Sequence, residues 1–237
     1  LSSFSFSLAA TFKTDILIIG SGSAGSVAAI AAAQGKFKVT IVERYGFAGG
    51  TSTQMLDTFY GFFTPSDSPK KIVGGIPDLI VNELNATGNI FLRPNTYGAG
   101  TGVNYNPEKL KEVWDKLLIS NGVQTLFHTT LVGVEDIGET SSCIFFNKGI
   151  GFFSIQAKRI IDASGDADYC HWAGLAYEKA GDVEPAQSMT TTFRMANVDL
   201  EAFKIAGGKN MLKERMKEAY DSGSHPLPRK EGSAHEM

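Results

Sequence analysis

Asp15–Gly50 reads DILIIGSGSAGSVAAIAAAQGKFKVTIVERYGFAGG. Asp15–Gly20 is a short apolar run of the kind found in strands buried on both faces of a parallel sheet. Ala24–Gly35 is Ala-rich, favours helix, and stops at a glycine. Phe37–Glu43 returns to a strand pattern. Strand, helix and strand in this length form a βαβ unit, whose right-handed crossover sets the two strands side by side. At the first junction, Gly20, Ser21, Gly22, Ser23, Ala24 and Gly25 fit G-x-G-x-x-G. Gly20 permits the tight turn, Gly22 bares the backbone to a pyrophosphate, and Gly25 lets the helix pack close to the strand. The free N–H groups and dipole of the helix N terminus favour the phosphate charge. Glu43 ends the second strand, where a carboxylate accepts from ribose hydroxyls and repels a 2′-phosphate. The unit therefore suits FAD or NAD and not NADP. A plainer reading leaves Glu43 on a solvated strand end and makes the glycines packing devices.

Composition sets the outer bounds. The chain has 237 residues, 43% hydrophobic and 20% charged, which suits an ordinary globular protein with one large or two small domains. Net charge is −3 and no basic run occurs, which speaks against nucleic-acid binding. No apolar stretch approaches the ~18 residues of a membrane span. Cys143 and Cys170 form no CxxC pair, disulfide framework or zinc signature. A soluble protein in a reducing, cytoplasmic setting is expected.

The remaining chain divides by pattern. Residues 1–13 are Ser/Phe-rich and read as a loose, disordered tail, ahead of the βαβ unit over 14–52. Residues 53–104 are Gly-dense and predict loop with a single helix, Pro77–Gly88. Regularity returns over 105–180. Asn106 caps a helix in which Leu110, Val113, Trp114, Leu117 and Leu118 share one face. Val123–His128 reads as a strand. The runs LVGVEDI, SCIFFN and GFFSIQA read as a three-stranded antiparallel meander, and Lys158–Asp166 as a further, buried strand ending in a turn. Residues 181–237 read as the start of an incomplete second domain with a solvated helix at Lys213–Gly223 and a loose C terminus.

This order of elements resembles the flavoprotein superfamily typified by glutathione reductase. Within it, VERYGFAGGTST (Val42–Thr53), GGIPDLI (Gly74–Ile80), NPEKLKEVWDKLL and RIIDASGDADYCHWAG (Arg159–Gly174) resemble a FAD-dependent oxidoreductase family. That family carries ER-x-GF-x-GG-x-x-T, a GIP helix and IDA[ST]GDAD. The resemblance spans about Asp15 to Asp199. It implies an α/β, Rossmann-like FAD-binding fold, with FAD as cofactor. It implies that Gly20, Ser21, Gly22, Ser23, Ala24 and Gly25 surround the pyrophosphate, and that Glu43 and Arg44 meet the adenosine ribose. Gly49, Gly50 and Thr51 would bring backbone near the pyrophosphate and flavin. Leu131 and Val132 would hold the adenine, partly through main chain. Ala163, Ser164, Gly165 and Asp166 would approach FAD from the other strand end, Asp166 either accepting from a ligand hydroxyl or capping the next helix. Family members usually continue with a Gly-Asp strand and a substrate domain, which nothing after Ala180 resembles. Pro185–Asp199 reads as the first substrate-domain strand. The chain is thus expected to be the N-terminal portion of a longer enzyme, truncated before the C-terminal closing elements and weak in FAD binding when alone.

Other candidates carry less. His128, at a strand end, and Trp114 and Trp172, as core aromatics, take structural roles. Asp166, Asp168, Cys170 and His171 lack metal-ligand spacing, so capping and packing are expected of them. Tyr60, Phe62 and Phe63 are expected to be buried against the domain, with stacking on a flavin as the sharper option. No Ser/His/Asp or Cys/His set suggests a nucleophile, and no catalytic side chain is assigned. The expected function is hydride or electron-pair transfer between a small organic substrate and an acceptor through FAD. An NAD-dependent dehydrogenase and a non-catalytic nucleotide-binding remnant remain the alternatives.

Overall fold

The run that opens the glycine motif lies at the centre of the main sheet. In a computed structural model, which describes residues 7–55, 59–64, 68, 70–94, 101–136, 138–187 and 195–224, β1 (Thr11–Ile19) leads into α1 (Ser23–Gln34) and β2 (Val39–Val42). After α2 (Thr51–Gln54) come β3 (Phe59–Gly61), α3 (Ile76–Ala86), β4 (Ile90–Pro94) and β5 (Thr101–Tyr105). Then α4 (Pro107–Ser120), β6 (Gln124–Leu126), β7 (Thr129–Asp136), β8 (Ser141–Asn147), β9 (Gly151–Asp162) and α5 (Asp168–Trp172) complete the first of two units, 1–192. The second unit, 193–237, holds α6 (Leu200–Ile205) and α7 (Gly208–Ser222), neither of which buries a residue.

The main sheet runs β6-β2-β1-β9-β8-β7. β6, β2, β1 and β9 are mutually parallel, while β7, β8 and β9 form the antiparallel meander. This is the α/β, Rossmann-like arrangement, a parallel sheet continued by an antiparallel meander, that the sequence predicts. Successive β1 side chains feed opposite faces, as the strand period of two demands. Ile18 packs with Ile41, Ala29, Ile30, Leu110, Trp114 and Leu118 beneath α1 and α4. Leu17 and Ile19 pack with Val42, Phe145, Phe153 and Ile155 beneath the meander. All five apolar positions of the α4 stripe are buried, and the Asn106 side chain accepts from the N–H groups of Glu108 and Lys109.

Four expectations need correction. The N-terminal tail is not loose from residue 9 on: Ala9 N donates to Phe152 O, and Thr11–Thr14 extend β1 against Ser154–Ala157. Phe12 meets Phe153 edge-on at 5.5 Å, so the Ser/Phe pattern supplies a core aromatic. The Gly-rich insert is not mostly loop, because β3, β5 and β4 pair as a small antiparallel sheet. GFFSIQA and KRIID are one strand, β9, and its second half is half-exposed and not buried. Trp172 is not core: it closes a five-residue helix and remains 49% exposed. Of the strand expected at Pro185–Asp199, residues 188–194 lie outside the described residues and residues 185–187 and 195–199 are not strand; the tail from 225 on also lies outside the described residues.

Candidate functional site

The turn after β1 and the turn after β9 meet. Ile19 is in parallel register with Asp162, and Ala163 N donates to Ile19 O at 2.8 Å. Gly20 has φ +96, and a Cβ there would stand 2.3 Å from Ala163 O. A Cβ on Gly25 would stand 1.9 Å from Gly20 O. Both glycines are therefore fixed by close packing of backbone on backbone. Gly22 differs. A Cβ there would have Gly50 Cα, 4.0 Å away, as its nearest neighbour, so the backbone faces open space. Gly49 N donates to Ser21 O at 2.7 Å, which draws the Gly49–Gly50 turn alongside Gly22. The result is a bare main-chain cradle at the N terminus of a twelve-residue helix. These residues fit a pyrophosphate, since N–H groups and the helix dipole face a space that no side chain fills.

Buried groups hold this cradle in shape. Glu43 is only 5% exposed, which overturns the solvated-strand-end reading. Its Oε2 accepts from Ser21 N at 2.7 Å and its Oε1 from Tyr45 N at 2.9 Å. One carboxylate thus braces the end of β2 against the glycine turn, and each oxygen keeps a lone pair for a further donor. Ser21 is fully buried, its hydroxyl 3.1 Å from that of Ser26, so it offers the site main chain alone. Leu131 is buried in the meander core. The β7–β8 register slips between Leu131 and Gly133, leaving Val132 without a cross-strand partner. Thr129 N donates to Glu43 O at 2.9 Å, which ties the start of β7 to the end of β2. Ala24, Arg44, Thr51, Gly165 and Asp166 are exposed around the cradle.

Arg44 and Asp166 face each other across the end of β1, their charged atoms 3.7 Å apart. The Arg44 guanidinium also lies 5.0 Å over the Tyr45 ring. Asp166 does not cap α5. Asp162 does, and sequence reasoning misses it. Its Oδ2 accepts from Tyr169 N at 3.0 Å and Cys170 N at 3.2 Å, while Oδ1 accepts from Ser164 N and the Ser164 hydroxyl. Burial pushes the Asp162 carboxyl up, but the hydrogen bonds from Ser164 and Cys170 outweigh it and hold the group below its usual range. Ser164 Oγ also accepts from Asp168 N at 3.0 Å, so the Ala163–Asp166 turn is tied at both ends. Burial, reinforced by Asp166 and Asp162, raises the Asp168 carboxyl.

Neither thiol is activated. Burial pushes Cys143 up to about 12, and burial with the neighbouring Asp162 charge raises Cys170. His171 Nδ1 lies 2.8 Å from the Tyr177 hydroxyl. His128 has φ +52 and is exposed, with its ring against Gly46. The Tyr60 ring stacks on Phe62 and meets Tyr105 at a tilt.

No curated protein matches the chain in sequence. Solved structures similar to it include a flavoprotein/dehydrogenase from Cytophaga hutchinsonii, 21% identical, covering 73% of this chain and 44% of that one, TM-score 0.47. THI4 from Thermovibrio ammonificans is 17% identical over 69% of this chain and 64% of its own, TM-score 0.46. A geranylgeranyl bacteriochlorophyll reductase-like protein from Thermoplasma acidophilum is 18% identical over 70% and 43%, TM-score 0.47. The chain spans less than two thirds of the length of each. The family model described as FAD dependent oxidoreductase matches residues 15–235, from the first strand of the cradle through both units, and the chain belongs to that family.

Proposed function

We propose that the chain binds FAD across the β1–β9 cradle, as the FAD-binding part of an enzyme that passes a hydride or electron pair between a small organic substrate and an acceptor. The observation that carries this reading is the contact of two bare turns at neighbouring strand ends, with Gly20 against Ala163 and open space before Gly22. Bound flavin supplies the redox chemistry, and the protein supplies binding and orientation.

In this reading the N–H groups at Gly22, Ser23 and Ala24 bind the pyrophosphate, with Gly49, Gly50 and Thr51 on its other side. Glu43 uses its remaining lone pairs on the ribose hydroxyls, and Arg44 lies beside them. Main chain at Leu131 and Val132 borders the adenine. Ala163, Ser164, Gly165 and Asp166 approach from the β9 end, Asp166 being free of the capping role that Asp162 takes. Family membership favours FAD over NAD. The test is to purify the chain, record its visible spectrum, and identify any released flavin by mass. Flavin absorbance on the protein, at the latest after FAD is added, is expected. A colourless protein that fails to take up added FAD would count against the reading.

A further inference from the structure

Three hydroxyls meet where the Gly-rich insert touches the cradle. Ser23 Oγ, on the first residue of α1, lies 2.9 Å from Ser52 Oγ and 3.2 Å from the Tyr60 hydroxyl. Ser52 follows the Gly49–Gly50 turn in α2, and Tyr60 comes from β3. The Tyr60 ring is fixed against two others, 5.3 Å from Phe62 and 4.7 Å from Tyr105. The Tyr105 hydroxyl donates to Ser52 O at 3.1 Å, so the same small sheet grips α2 as well. All three hydroxyl-bearing residues are half-buried.

Hydrogen accounting gives this cluster a direction. Three hydroxyls carry three hydrogens. Two hydrogen bonds join them, which leaves one hydrogen for an acceptor outside the cluster. The neighbouring space is the open side of Gly22, ringed by N–H donors. What that space lacks is an acceptor, and a phosphate oxygen supplies one with charge.

We propose that Tyr60 is a positioning residue for the dinucleotide pyrophosphate. Its phenol holds the Ser23 side chain at the α1 N terminus, and the remaining hydroxyl hydrogen of the Ser23–Ser52–Tyr60 cluster is donated to a phosphate oxygen. The inference rests on the FAD reading of the same cradle. The insert thereby gains a role in binding, because its sheet carries a rigid aromatic hydroxyl to the phosphate site.

Tyr60→Phe removes one oxygen and keeps the stacked ring. FAD and ADP, which share the pyrophosphate, are titrated into the full chain by calorimetry. Expected is a loss of about tenfold in affinity for both ligands, with the melting temperature of the ligand-free chain unchanged. Ser23→Ala should give a loss of similar size, and the double variant no more than either alone. Unaltered FAD affinity in Tyr60→Phe overturns the role, as do additive losses, a loss confined to FAD, or a loss that tracks a lowered ligand-free melting temperature. Wild-type chain that binds neither FAD nor ADP overturns the FAD reading itself, and the Tyr60 role with it.

Discussion

Gly20 and Ala163 are in contact so close that the space for a single methyl group between them is already taken by the Ala163 carbonyl, 2.3 Å from where that methyl would sit. The contact joins the end of β1 to the end of β9 and sets the floor of the cradle. Gly20→Ala should therefore cost about 3 kcal/mol or more, from backbone overlap added to a left-handed φ. Gly165 has a similar φ, +85, but nothing within 4 Å of its would-be Cβ. Gly165→Ala should cost only ~1 kcal/mol. Urea unfolding of both variants checks this, and equal losses would show that φ strain, not the Ala163 contact, matters at Gly20.

Glu43 is buried with an N–H on each carboxylate oxygen. Glu43→Gln keeps the shape but turns one acceptor into a donor, which must then face Ser21 N or Tyr45 N. A buried donor–donor clash of this kind costs about 1–3 kcal/mol. Thermal unfolding of the ligand-free chain should show the loss before any cofactor is added. FAD affinity should fall too, because Ser21 is the first residue of the glycine turn after Gly20. An unchanged melting temperature would remove the bracing role.

The parts of this arrangement that a single sequence discloses are those with local signals. β1, α1 and β2 follow from a buried apolar run, an Ala-rich stretch and the glycine punctuation, and α4 from its five-position stripe. The β9 strand reads as two because its chemistry changes at Lys158. β8 begins beside it, its first residue Ser141 opposite Ala157, so beyond that point only β1 accompanies β9, as far as Asp162. One open edge allows Lys158 and Arg159, so the apolar pattern breaks while the strand does not. The insert sheet leaves no local pattern because Phe59 pairs with Asn104 across some forty-five positions, and two of its facing residues, Gly61 and Gly102, have no side chain to alternate. Asp162 gives no sequence signal because it caps α5 from the far side of the turn, whereas Asp166 stands next to the helix in sequence.

Arg44 and Asp166 form an exposed pair at 3.7 Å, with side chains 51% and 65% accessible. Such pairs contribute ~0–1 kcal/mol and weaken as salt rises. Asp166→Asn should leave the melting temperature nearly unchanged. If Arg44 lies beside the adenosine, Arg44→Ala should weaken FAD binding more than Asp166→Asn does. Titration of both variants at low and high salt tests the ranking, and the reverse order would place Asp166 on the cofactor instead.

Asp162 makes stability depend on acid in a direction that can be worked out. Its carboxyl is held below the ordinary aspartate range in the folded chain, because Ser164 and Cys170 bond the charged form more than burial penalises it. A depressed folded pKa contributes stability that is fully present above the unfolded value and is lost as pH falls through the folded one. The contribution therefore starts to fall at about pH 4, where the unfolded chain takes up the proton first, and is gone only once the folded carboxyl is protonated too. Asp162→Asn cannot titrate, and its amide keeps a single oxygen, so its NH2 must face either Ser164 N or the N–H groups of Tyr169 and Cys170. The variant should be less stable than wild type near neutral pH, and the gap should narrow as pH drops from about 4 towards about 2. Urea midpoints taken across that range measure it. A gap that stays constant with pH would mean that Asp162 acts through shape alone, and the charged cap that ties the Ala163–Asp166 turn to α5 would have to be given up.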